Sequence, residues 1–191
     1  MNKYEQIDNV FRSLNREIWI VTAESEQARG GLLATWVSQA SLNPLDPIAV
    51  IGIAVNHFTR DLIDASGRFG LHLLAPDQTE LALNFAIGSG RDRDKLAGLN
   101  LLPQRSTPIL ANCASWLECE VETQIVSGDR VYYWGNVVDG RQLSTNPPMC
   151  ENDLFAAASN EQLQALKQNR IEDIEIQRPL VEQWRAERNS N

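Results

Sequence analysis

Apolar residues recur along the chain with two different periods, and the switches between them mark its elements. Tyr4, Ile7, Val10, Phe11 and Leu14 fall three and four residues apart, which predicts an amphipathic helix over 3–16. β-Branched and aromatic residues take over in Ile18-Trp19-Ile20-Val21-Thr22-Ala23, a strand pattern. A polar connection from Glu24 to Arg29 leads into Gly30–Ser41, read as one further strand running into a turn, so that the two form a hairpin. Asn43-Pro44-Leu45-Asp46-Pro47 punctuates the chain, and 48–55 is then almost wholly apolar, as expected of a strand buried on both faces. Thr59 is placed to cap a short helix over 60–65, which Gly67 closes before a strand over 69–74.

Beyond Pro76, Asp77 with Glu80 three residues on has the form of a capping box for a helix carrying Leu81, Leu83, Phe85 and Ile87, and Gly88 stops it. The charged, Gly-rich run 88–95 lacks the spacing of a P-loop. Residues 116–126 and 131–138 alternate apolar with polar around Ser127-Gly128-Asp129-Arg130, a second hairpin. The strands bracket helices rather than alternate with them, which predicts a mainly β fold, an antiparallel β-barrel with peripheral helices. At Asn146-Pro147-Pro148 the character changes. Residues 146–191 form a helical C-terminal extension to a domain over 1–145, with Leu154, Phe155, Ala158, Leu163, Leu166 and Ile171 as candidate buried positions. The polar tail from 172 on, anchored by Ile174, Ile176, Leu180, Val181 and Trp184, is expected to pack on the barrel or on a partner subunit and to fray at its end.

Composition narrows the function classes. Hydrophobic residues make up 43% and charged residues 22% of 191 residues, the balance of an ordinary globular domain. A formal net charge of −8 with no basic stripe argues against a nucleic-acid surface. Cys113, Cys119 and Cys150 contain no Cys-x-x-Cys pair, and with only His57 and His72 to join them they give no metal-site spacing. No apolar signal core opens the chain and no run reaches the roughly 18 apolar residues of a membrane span. The expected setting is cytoplasmic, with reduced thiols.

Candidate chemistry concentrates between Gly30 and Ser41. Glycines there allow close backbone approach, Thr35 and Trp36 supply a donor and a π face, and Ser38 and Ser41 can donate to phosphate oxygens, a set suited to a flat phosphorylated ligand. A hairpin strand with a polar outer face has the same composition. His72 points away from Phe69, Leu71 and Leu73 by alternation, and reads as a hydrogen-bonded structural histidine.

Over about residues 10–140 the order of segments resembles the flavin reductase-like proteins with the FMN-binding split barrel, an antiparallel Greek-key form. The resemblance rests on Trp19–Ala23, Gly31–Ser41, Asn56-His57-Phe58-Thr59-Arg60, Gly67–Leu74, Asn84-Phe85-Ala86, Asp94-Lys95-Leu96 and Gly128-Asp129-Arg130. It is similar above all to the flavin-reductase module fused to flavodiiron proteins, here without a recognisable metallo-β-lactamase or flavodoxin module, so an external electron acceptor is expected. The resemblance implies that Ala34, Thr35 and Trp36 line the isoalloxazine of FMN (or FAD), with Ser38, Gln39 and Ser41 reaching the ribityl phosphate. Thr59 would bind phosphate at a helix N-terminus, flanked by Asn56, His57 and Arg60, and Lys95 would place a positive charge near the flavin. The plainer alternatives are that Thr59 is only a cap, Lys95 a solvated loop charge and Trp36 a core aromatic.

One departure from the family pattern bears on chemistry. Arg130 stands where many members have a His near the flavin and nicotinamide; it cannot shuttle a proton near neutrality but brings a fixed positive charge. The implied activity is an NAD(P)H:flavin reductase, passing a hydride from the nicotinamide to flavin N5 and electrons on to an acceptor, with Arg130 as the catalytic candidate. The missing hairpin His supports the alternative of a flavin-binding, flavoredoxin-like electron carrier without a nicotinamide site, reduced by a protein partner; the plainer reading of Arg130 is a surface hairpin charge paired with Asp129. A non-redox split-barrel binding module is the third possibility. The family also implies a homodimer with the flavin near the subunit interface.

Overall fold

The computed structural model describes residues 2–189. Helix α1 (Lys3–Arg12) opens on a capping box between Asn2 and Glu5. It ends earlier than its apolar period predicts: the Ser13 N–H folds back on Asn9 O. No α1 residue is buried; Tyr4, Val10, Phe11 and Leu14 lie exposed.

Strands β1 (Trp19–Glu24) and β2 (Arg29–Ala34) form the expected hairpin. The stretch Gly30–Ser41 is not one strand, because the chain leaves the ladder at Thr35-Trp36 and resumes as β3 (Val37–Gln39). β4 (Ile48–Ala54), β5 (Arg68–Leu73), β6 (Ser115–Ser127) and β7 (Arg130–Gln142) complete an antiparallel sheet in the order β2-β1-β5-β6-β7-β4-β3. The two edge strands, β2 and β3, are consecutive pieces of one stretch of chain, so the sheet is rolled into a half-barrel with its seam at Thr35-Trp36. At the β6–β7 turn Gly128 takes φ 65°, which the first central position of a tight hairpin requires.

Alternation along the strands splits the apolar residues into two cores. Val21, Ile51, Ile53, Phe69, Leu71, Val131 and Tyr133 fill the barrel, and α2 (Phe58–Ser66), ended by Gly67, adds Leu62 and Ile63. Ile18, Ile20, Leu74 and Trp116 face the other way, under Leu83 and Phe85 of α3 (Thr79–Ala86), Ile109, and Leu154 of α4 (Glu151–Ala157). β4 is not buried on both faces: Ala49, Ile51 and Ile53 are inward, whereas Val50 and Gly52 face outward and are half-buried. The Asp77 capping box does not form. α3 begins at Thr79 after Gln78, whose side chain instead accepts from Ala75 N–H, leaving no side-chain cap.

Helix α5 (Asn160–Asn189) follows α4 and crosses the barrel. Of the expected buried positions in the two C-terminal helices, Leu154 is buried while Phe155 and Ile171 are exposed. α5 is continuous to Asn189, and the fraying expected at the chain's end falls on residues 190–191, outside the described residues. No helix among the described residues is long and apolar enough to cross a membrane.

Two buried polar side chains tie the outer core to the sheet. Thr22 donates from Oγ1 to Pro108 O at 2.5 Å. The Leu110 N–H donates to His72 Nε2 at 3.1 Å, so the proton sits on Nδ1, which faces Ile20 O at 3.1 Å. His72 is therefore structural, and burial pushes its pKa down to about 4 against the opposing Ile20 carbonyl. Between an unfolded value near 6.5 and about 4 the unfolded chain binds a proton that the fold refuses, so stability is full above this window and falls as pH drops through it. This group alone accounts for roughly 3 kcal/mol over the window. Urea melts at pH 7 and pH 5 are expected to show a larger loss for the wild type than for His72→Asn; equal losses would show that His72 is not held neutral.

Candidate functional site

The outward face of β3, β4 and β7 forms the floor of a cleft of about 1150 Å³, walled by α1, α4 and Arg170 of α5. Thr35, Trp36 and Ser38 enter from the seam, with Val50 and Gly52 from β4 and Tyr132 from β7; Phe11, Leu14 and Phe155 stand opposite. A Cβ at position 52 would lie 3.0 Å from the Tyr132 ring and 3.2 Å from the Trp36 ring, so glycine lets both aromatics close onto the strand. Trp36 is 45% exposed and no core residue. The Arg130 guanidinium stacks 4.9 Å from its ring centre and pairs with Asp129 at 3.0 Å.

Following β4 toward its end leads from this aromatic floor to the head of α2. Val55 N–H donates to Asp129 O, which binds the strand's exit to the β6–β7 turn. His57 is the N-cap residue of α2, yet its side chain makes no cap bond. Thr59 is not the cap but lies within the first turn, 2% exposed, and Arg60 turns to Asp61 and Asp64. The polar atoms ahead of the helix are engaged by α5. Asn56 Nδ2 donates to Asp173 Oδ1 at 2.9 Å, Gln177 Nε2 donates to Asn56 Oδ1 at 3.1 Å, and His57 Nε2 lies 3.3 Å from Asp173 Oδ2. The His57 contact, aided by Asn56 and the Arg130 charge, holds the Asp173 carboxyl below the usual range although burial opposes it. Arg91 of the Gly-rich run completes the cluster, donating to Asn56 O at 2.9 Å and Asp61 at 2.5 Å with its guanidinium 5.5 Å from the Phe58 ring centre.

Lys95 stands elsewhere. Its ammonium donates to Phe85 O at 2.8 Å, 3% of the residue is exposed, and burial followed by the Arg93 charge lowers its pKa to about 8. It is neither a solvated loop charge nor a member of the cleft; it satisfies a terminal carbonyl of α3.

Of the residues singled out from sequence, Thr35, Trp36, Ser38 and Arg130 gather at the aromatic floor, and Asn56, His57, Thr59 and Arg60 at the head of α2. Ala34 turns into the barrel core, while Gln39 and Ser41 lie past the floor, Gln39 bonded to Ser41 O. Sequence reasoning missed Arg91, Tyr132, Asp173, Gln177 and the α1 wall. Only Arg91 carried a signal, in the charged run 88–95. Chemically, the arrangement offers a slot for a flat ring at one end and anion-binding groups at the other. The end of β4 and a turn closed by the His57 N–H on Ala54 O connect the two ends.

Residues 11–156 match the family model described as flavin reductase like domain. Diflavin flavoprotein A 1 of Synechocystis sp. is 29% identical over 126 residues, 65% of this chain and 22% of that protein, so the chain spans less than a quarter of this relative's length. Among solved structures, an NADH:FAD oxidoreductase of Streptomyces globisporus C-1027 superposes with a TM-score of 0.69 at 20% identity, covering 78% of this chain and 87% of the other. A flavoredoxin of Methanosarcina acetivorans does so with a TM-score of 0.62 at 19% identity, covering 67% and 69%. At these identities the two structures establish the shared fold.

Gly52→Ala is expected to displace Trp36 and Tyr132 and to lower stability by about 1–3 kcal/mol in denaturant melts. An unchanged midpoint would mean that the two rings yield without cost.

Proposed function

The chain belongs to the flavin reductase like domain family, and on that premise we propose that it binds FMN, or FAD, and is reduced by NADH or NADPH as a flavin reductase. The observation that carries the reading is an exposed aromatic floor, Trp36 and Tyr132 over Gly52, on the strand that leads directly into a helix head whose first turn has no side-chain cap. A flat aromatic ring fits the floor, and free N–H groups with the positive end of the helix dipole favour a phosphate at α2.

The bound flavin would supply hydride acceptance at N5 and electron delivery to an external acceptor. The chain's own part is binding and orientation. Ala34 and Thr35 offer backbone groups to the ring edge, Trp36 covers the ring, and Ser38, Gln39 and Ser41 supply polar groups past the floor. Asn56, His57, Thr59 and Arg60, joined by Arg91, hold the anionic end. Arg130 keeps a fixed positive charge over Trp36, available to a donor's phosphate or to negative charge developing on the ring. Lys95, spent on Phe85 O, supports α3 and is left out of the flavin contacts.

Residues 1–145 constitute the reductase domain in this reading and 146–191 its helical extension. The exposed apolar stripe of α1 suits a homodimer, and the unpaired Cys113, Cys119 and Cys150 suit a reducing, cytoplasmic setting. The Arg130–Asp129 pair favours a second reading, a flavin-binding electron carrier without a nicotinamide site.

Purified protein is expected to absorb at about 450 nm, as oxidised flavin does, or to gain that band on mixing with FMN. Steady anaerobic reduction of the flavin by NADH or NADPH supports the reductase; flavin binding with no reduction by either dinucleotide selects the carrier. Thr59→Ala should weaken FMN binding by about 1–2 kcal/mol through loss of a charge-assisted bond. Equal affinity of the variant in a fluorescence titration removes Thr59 from the site.

A further inference from the structure

Helix α5 is held to the barrel in an unusual way. It is 30 residues long, yet its one buried residue is Gln177, and Ile171, Ile174 and Ile176 along it are exposed. What fastens it at the cleft is polar. Asn169 reaches Ala86 O at 3.4 Å, Arg170 pairs with Asp8, and Asp173 and Gln177 take both amide atoms of Asn56 and the Nε2 of His57. Pro179 follows, where the missing N–H removes the helix bond to the residue 175 carbonyl and makes the turn just before it, next to Gln177, a weak point. Beyond it the helix rests on the β6–β7 turn, a Cβ at Gly128 falling 3.2 Å from Val181 Cα.

We propose that α5 is a displaceable strap whose Asp173 carboxylate stands at the head of α2 in place of an anionic ligand, so that the strap and the flavin phosphate exclude one another. This rests on the flavin reading above. Asp61 in the first turn of α2 is already paired with Arg60 and Arg91, so Asp173 brings the carboxylate that faces the uncapped end and takes up the donors of Asn56 and His57 that a phosphate would use. A phosphate brings more charge and more acceptor oxygens, and it can bridge Asn56, His57, the first-turn N–H groups and Arg91 at once. It cannot share the position with a carboxylate, because two like charges in contact repel. Over 169–177 the bonds are polar and half-exposed and cost little to exchange, while Leu166 packed on the outer core and Val181 on the β6–β7 turn keep the two flanks of the helix seated. The strap therefore weakens the binding of ligands with an anionic tail, which must displace it, and leaves the ring position open to ligands without one.

The test is a titration of wild type and Asp173→Asn with FMN and with riboflavin, which lacks the phosphate, at constant ionic strength. The isosteric amide keeps its acceptor for Asn56 and loses the charge. FMN affinity is expected to rise roughly three- to tenfold in the variant, with riboflavin affinity unchanged. Hydrogen exchange on the wild type gives a second readout: amides of 169–178 should exchange faster when FMN is added and not when riboflavin is added. Equal or weaker FMN binding by the variant, the same gain for both flavins, or slower exchange in 169–178 with FMN overturns the strap while leaving the flavin site standing. Failure of both flavins to bind either protein overturns the flavin reading itself, and the strap with it.

Discussion

A sheet of seven antiparallel strands has two edges, and here one short piece of chain must satisfy both. β2 pairs with β1 at one end of the strand order and β3 with β4 at the other, with only Thr35 and Trp36 between them. The backbone must cross from one edge to the other in those two residues, so their side chains are taken out of the alternation that buries their neighbours. Trp36 is left outside on the wall, where only a glycine at position 52 gives it room. The same closure carries β4 alongside β7 and delivers its end, with Asn56 and His57, next to the β6–β7 turn. The exposed aromatic floor is the by-product of this crossing between the two edges.

Much of the barrel was legible in the residues. β-Branched runs with turn residues between them located both hairpins, Ser127-Gly128-Asp129-Arg130 marked the second turn, and the parity of His72 against Phe69 and Leu71 put it on the outer face. These features are local, or follow from a period of two. The break at Thr35-Trp36 was not legible, since nothing in the composition of Gly30–Ser41 distinguishes a strand that continues from one that changes partner. The caps failed for a related reason: Asp77 and Glu80 have the right spacing, but tertiary contacts at Ala75 and Asn112 draw Gln78 into the cap position instead.

For the site, sequence located the floor and the head of α2 but not what surrounds them. Trp36, Ser38 and Thr59 sit in segments with recognisable chemistry. Asp173 and Gln177 lie in a helix so rich in Glu, Gln and Asp that nothing marks two of its polar residues, and they become informative only once Asn56 is seen between them. Lys95 shows the opposite failure. Its charge suggested solvent or ligand, but a lysine is long enough for its nitrogen to reach the end of α3 while its stem fills space.

The two polar anchors at Thr22 and His72 keep the segment ahead of Cys113 pressed on the sheet, and this fixes the fate of the thiols. Burial pushes Cys113 up to about 11 and Cys119 up to about 12, the latter with Glu118 nearby, so in the folded chain neither presents the thiolate that oxidants and alkylating agents attack. Their protection lasts only as long as the walls around them. The interior thus carries its own clock: the rate at which those two sulfurs become modifiable measures how often the barrel and its outer core open, without any probe being added to the protein.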